Sequence, residues 1–146
     1  MKWRNVDLEA AVAASAVLAP FRPDKVRRAD LEKLYSDTAA VLAENGPYAM
    51  FLYLWARSKK AKKGQPDPAG MTMRGGYELL VKLELVSGGE PFSAESAMKG
   101  IAEMSGDFDR LMLARQLLMQ LTAYLRYHAK TVERQKLMAK ERSASQ

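Results

Sequence analysis

Cysteine is absent from this chain of 146 residues, which excludes disulfides, thiolate metal sites, iron–sulfur clusters and thiol nucleophiles together. Histidine occurs once, as His128, so only one imidazole is available to move protons near neutral pH. Ile occurs once and Thr four times, and a chain so poor in β-branched side chains disfavours a pleated sheet. The longest uncharged stretches, Ala10 to Phe21 and Asn45 to Ala56, fall short of the roughly 20 apolar residues a membrane-spanning helix requires. No membrane partner is expected. Met1-Lys2-Trp3-Arg4 followed by the apolar Ala10 to Ala19 invites comparison with a secretion signal, but Asp7 and Glu9 interrupt it and alanine makes it weakly hydrophobic. Cytoplasmic location is the expectation.

What the chain has in quantity is Ala, Leu and positive charge. Hydrophobic residues make up 48% and charged residues 27%, a globular composition at the size of one domain. The expected fold is all-α: a single compact bundle of five to six helices over residues 1–146, with a long C-terminal helix. Lys and Arg number 23 against 17 Asp and Glu, giving +6 and a pI near 9.6, a bias that favours a polyanionic partner.

Caps and breaks divide the chain. Asn5 is placed to cap a helix from Val6 to Ala19, with Asp7 and Glu9 in its positive first turn; Pro20 and Pro23 end it. Leu31, Leu34, Tyr35, Thr38, Val41 and Leu42 form one stripe of a second helix from Asp24 to Glu44. Asn45-Gly46-Pro47 then makes a corner: Gly46 can adopt the positive φ that ends one helix, and Pro47 can open the next. The third helix, Pro47 to Lys63, is apolar nearly all round and is predicted to be covered by neighbours.

Residues 64–76 carry turn chemistry and read as a flexible loop, with Gly75-Gly76 and Gly88-Gly89 as loop hinges, since neither pair has Walker or dinucleotide spacing. Tyr77 to Val86 is read as helix, although Val81 to Leu85 alternates like a strand. Ser93 is predicted to cap a helix to Met104, and Asp107 or Asp109 a long one that passes Glu133 with Leu111, Ala114, Leu118, Leu121, Leu125, His128 and Val132 as its seam. Residues 141–146 read as a frayed tail.

Catalytic chemistry finds little footing. His128 falls in the leucine seam, and the acidic pairs Asp7 with Glu9 and Asp107 with Asp109 are explained as helix-start charges. Met71 and Met73 lack cysteine or clustered histidine beside them, so no metal and no cofactor is expected. Basic clusters remain as candidate contacts to an RNA backbone. Arg57, Lys59, Lys60, Lys62 and Lys63 crowd into seven residues without an acid; Arg126, Lys130 and Arg134 recur every four residues; Arg27 and Arg28 open the second helix beside Lys25. Such groups hold phosphates and do not read bases, and aromatic platforms for stacking are not evident in the sequence.

Two segments carry a family resemblance. Leu42-Ala43-Glu44-Asn45-Gly46-Pro47-Tyr48-Ala49-Met50-Phe51-Leu52 resembles the helix–Asn-Gly–helix corner of the small helical subunit of type III-B (Cmr) CRISPR effector complexes. In Ala114 to Ala129, Tyr124-Leu125-Arg126 stands where that family tends to show an aromatic-Leu-basic step. Pro47 departs from the Leu usual after Asn-Gly, and Ala49 from a common Gln. The resemblance implies a non-enzymatic subunit of an antiviral ribonucleoprotein that stacks with copies of itself beside larger subunits, its basic face lining the groove that holds guide RNA and target RNA. It also implies Asn45 and Gly46 as the corner and Arg126 as a phosphate contact. The alternative is a helical protein–protein adaptor that binds no nucleic acid.

Overall fold

The computed structural model describes residues 5–19, 28–58, 67–88 and 91–144, except for the side chains at 132, 133, 135–137 and 139. It is an all-α fold. Seven helices follow in order among the described residues: α1 Val6–Leu18, α2 Arg28–Asn45, α3 Pro47–Arg57, α4 Pro68–Lys82, α5 Ala94–Met104, α6 Phe108–Lys130 and α7 Val132–Ala144. No described helix is long and apolar enough to cross a membrane.

The helix starts follow from side chains that satisfy orphan backbone N–H groups. Asn5 accepts from the Leu8 amide at 3.1 Å, and Asp107 accepts from Asp109 and Arg110. At α5, Ser93 accepts from the Ser96 amide at 3.1 Å while the Ser96 hydroxyl accepts from the Ser93 amide at 3.2 Å, a reciprocal capping box. Gly46 joins α2 to α3 with φ of 90°. A Cβ there would meet nothing within 4 Å, so glycine is required by backbone conformation and not by space.

The core is built around α6, which packs most extensively against α1 and α2. Leu117, Leu118, Leu121 and Leu125 are fully buried on its inner face. Ala10 and Ala14 of α1 are equally buried, and their small side chains let two helix backbones approach closely. From α2 come Leu31, Leu34, Tyr35, Thr38 and Leu42, the predicted stripe with Val41 half-buried at its edge.

Four expectations are corrected. Residues 68–76, read as loop, form the first half of α4, and Gly75-Gly76 lie inside that helix. Ala69, Thr72, Met73, Gly76, Tyr77, Leu79 and Leu80 are its buried positions, and all but Leu79 follow a three–four repeat that opens on small residues. Two glycines cost roughly 1 kcal/mol each in a helix interior, but here they admit neighbours: a Cβ on Gly75 would collide with Val17 Cγ2, and one on Gly76 would sit 3.3 Å from Phe51 Cζ. Second, Tyr77 to Val86, read as helix, is helical only to Lys82, and Leu83 to Leu85 turn out of α4. Glu84 takes φ of 62°, its amide donates to Val81 and that of Leu85 to Leu80 at 2.9 Å, a Schellman turn closed by the buried Leu85.

The third correction concerns α3. It ends at Arg57, where Ser58 is extended, residues 59–63 of the expected helix lie outside the described residues, and Tyr48, Leu52 and Trp55 line an exposed side instead of being covered. Fourth, the last helix is two: Thr131 stops α6, its hydroxyl donating to the His128 carbonyl at 2.7 Å, and α7 then carries residues 141–144 in helix where a frayed tail was expected.

One buried polar link crosses the core. The Tyr35 and Thr72 hydroxyls are hydrogen-bonded at 3.3 Å, and Thr72 also reaches the Pro68 carbonyl at 2.7 Å. Burial pushes the Tyr35 phenol up to about 12, with the Thr72 bond opposing it. The unfolded chain ionises near pH 10 while the fold keeps the proton, so this stabilisation is complete below pH 10 and lost between pH 10 and about 12. Unfolding free energy measured by urea titration is expected to fall by about 2 to 3 kcal/mol more over that window in the wild type than in Tyr35→Phe. Gly75→Ala is expected to lower stability by about 1 to 2 kcal/mol despite better helix propensity, and the double variant with Val17→Ala to lose less than the two single losses summed.

Candidate nucleic-acid interface

A helix advances about 100° per residue, so the buried Leu117, Leu118, Leu121 and Leu125 decide what α6 turns outward. Opposite them run Phe108, Met112, Met119, Arg126, Tyr127 and Lys130, all exposed, Phe108 to 72% and Tyr127 to 63%. This outer face is apolar over its first half and cationic over its second. Arg134, one turn further on α7, is also exposed. The Lys130 ammonium lies over the Tyr127 ring, 5.9 Å from its centre, at the outer range of a cation–π contact.

Two hydrogen bonds to other helices pin α6. Arg115 Nη2 donates to the Ala43 carbonyl at 2.6 Å, occupying one of the open acceptors at the end of α2 just before the Asn45-Gly46-Pro47 corner. At that corner the Gly46 amide donates to Leu42 at 2.9 Å, the Met50 amide donates to Gly46 at 3.1 Å, Pro47 is buried and Asn45 is exposed. Further along α6, the Tyr124 phenol donates to Asp7 Oδ1 at 2.6 Å. That bond to a carboxylate, then burial and the charge of Asp7, raise the phenol above its ordinary range.

Tyr124-Leu125-Arg126 therefore divides its labour: Tyr124 holds α1, Leu125 is sealed in the core, and Arg126 projects outward. The acidic pair at the start of α1 does more than favour a helix end, since Glu9 also pairs with Lys82 of α4 at 2.7 Å. His128 is half-buried, not sealed in the seam.

The basic residues named from sequence separate into three groups. Arg126, Lys130 and Arg134 are exposed, and none joins an ion pair seen among the described residues. Arg28 is already engaged, its Nε 3.2 Å from Glu32 Oε1, which weakens it as a phosphate contact. Arg57 ends α3 with its guanidinium 5.9 Å above the Tyr53 ring. Arg27, Lys59, Lys60, Lys62 and Lys63 lie outside the described residues.

Sequence reasoning missed the exposed aromatics. Tyr127 was detectable: a helix seam at Leu118, Leu121 and Leu125 places position 127 within about 30° of the far side of the helix, as it does position 130. Among the described residues no three His, Cys, Asp or Glu side chains gather as a metal site. A groove of about 500 Å³ between α1 and α4 has Val12, Ala16 and Met71 in its walls, and its rim charges are spent in the Glu9–Lys82 and Arg74–Glu78 pairs.

Set against models of protein families, curated proteins and solved structures, the chain matches none.

Proposed function

We propose that this chain is a non-catalytic, basic helical small subunit of an RNA-guided CRISPR effector ribonucleoprotein, working in the cytoplasm, that contacts the backbone of guide and target RNA. The observation that carries the reading is Arg126 and Lys130, exposed on the side of α6 that faces away from the core, with Arg134 exposed on α7. Residues four apart on a helix lie about 6 Å apart along its axis, so successive side chains can reach successive phosphates of one strand. Net charge of +6 supports it by drawing polyanions to the whole surface. The resemblance of the Asn45-Gly46 corner and of Tyr124-Leu125-Arg126 to the Cmr small subunit supports the ribonucleoprotein setting, with copies of the chain and larger subunits as neighbours.

A second reading has an observation of its own. Phe108, Met112 and Met119 on the outer face, and Tyr48, Leu52 and Trp55 on α3, are exposed apolar side chains of the kind that protein partners cover. On that reading the chain is a helical adaptor and the cations serve solubility.

Binding of a fluorescent 15-nucleotide RNA across a salt series separates the two. The triple variant Arg126→Gln/Lys130→Gln/Arg134→Gln is expected to keep wild-type stability, since all three side chains are exposed, and to reduce the salt slope by about 2. Affinity that ignores salt, or a variant that binds like the wild type, contradicts the RNA reading. Recovery of a protein partner free of nucleic acid, judged by absorbance at 260 and 280 nm, then favours the adaptor.

A further inference from the structure

The cationic half of α6 contains one side chain that phosphate binding does not call for. Tyr127 stands among Arg126, Lys130 and Arg134 with 63% of its surface open to solvent. A lone exposed tyrosine needs no explanation, but this one lies between Arg126 and Lys130 along α6, with Arg134 exposed on α7 beyond them, and Lys130 holds its ammonium over the ring at 5.9 Å. An aromatic ring set within a line of cations is how proteins hold unpaired nucleic acid: phosphates take the charges and a base lies on the ring.

We propose that this face selects single-stranded over duplex RNA, with Tyr127 as the platform for one unpaired base and Arg126, Lys130 and Arg134 on the flanking phosphates. The inference rests on the RNA-binding reading above and deepens it. Geometry decides between the two forms of RNA. From Arg126 to Lys130 is four residues, about 6 Å along the axis of α6, the reach of one or two nucleotides of a single strand. Duplex RNA is gripped through separated contacts across grooves, over roughly 16 base pairs in the domains dedicated to it, which one short ridge does not span. In a duplex, moreover, base faces are stacked on one another, and an exposed ring would meet only sugar and phosphate. In a single strand every base has a free face, so the platform tolerates any sequence.

The test uses the whole chain and fluorescence anisotropy with a 15-nucleotide RNA, alone and annealed to its complement. Single-stranded RNA is expected to bind more tightly than the duplex. Tyr127→Leu is expected to lower single-strand affinity roughly tenfold with an unchanged salt slope and little change for duplex, and Tyr127→Phe to retain wild-type binding. The triple cation variant is expected to weaken both RNAs and reduce the slope. If the cation variant weakens binding but Tyr127→Leu matches wild type, or if the wild type binds both RNAs equally, stacking is overturned and the backbone reading stands. If the wild type binds neither RNA, both fall.

Discussion

Leu117, Leu118, Leu121 and Leu125 lie on the inner side of α6, the helix that α1 and α2 pack against most extensively, and no solvent reaches them. A fully buried leucine contributes roughly 1.5 to 3 kcal/mol, so four on one helix face hold that face inward against any other rotation of α6. The opposite side of a helix is then set by geometry. Met119, Arg126, Tyr127 and Lys130 are presented to solvent because the leucines are not. Inward packing and the exposure of these side chains are two consequences of a single rotational choice.

The rest of the fold preserves that choice. Alanines at positions 10 and 14 let α1 lie close to α6, and Gly75 gives α4 the same closeness to Val17. Bonds at the surface set register more than stability. Arg115 to the Ala43 carbonyl, Tyr124 to Asp7, and Glu9 to Lys82 tie α6 to α2, α6 to α1, and α1 to α4. Exposed links of this type contribute about 1 kcal/mol or less each, yet each permits only one sliding position between its helices.

Much of this was legible in the sequence where the determining chemistry is local. Asn5, Gly46, Ser93 and Asp107 act on backbone groups a few residues away, and their helix ends fall where expected. The all-α class and the α6 seam follow from composition and a strong leucine repeat. α4 was hidden because its seam is written in Ala69, Thr72 and Gly76, which look like loop residues until Tyr35 is seen bonded to Thr72, and Phe51 and Leu118 beside Gly76. At the Thr131 break the amide and the hydroxyl both turn to the His128 carbonyl, yet Thr122 makes the same hydroxyl contact to Met119 within an unbroken α6, so nothing in the residue pattern marks the break. An apolar circumference on α3 could not reveal which side is left uncovered. At the site, the four-residue spacing of Arg126, Lys130 and Arg134 was visible, whereas the exposure of Tyr127 required the seam's direction to be worked through.

The outer face of α6 thus changes character along its length, from Phe108 and Met112 to Arg126 and Lys130. Photocrosslinking of 4-thiouridine RNA to the whole chain, with adducts mapped by peptide mass spectrometry, tests whether the cationic half is where RNA lies. Adducts within residues 126–134 are expected. Adducts that avoid that segment while forming elsewhere on the chain would contradict the assignment of this face to RNA.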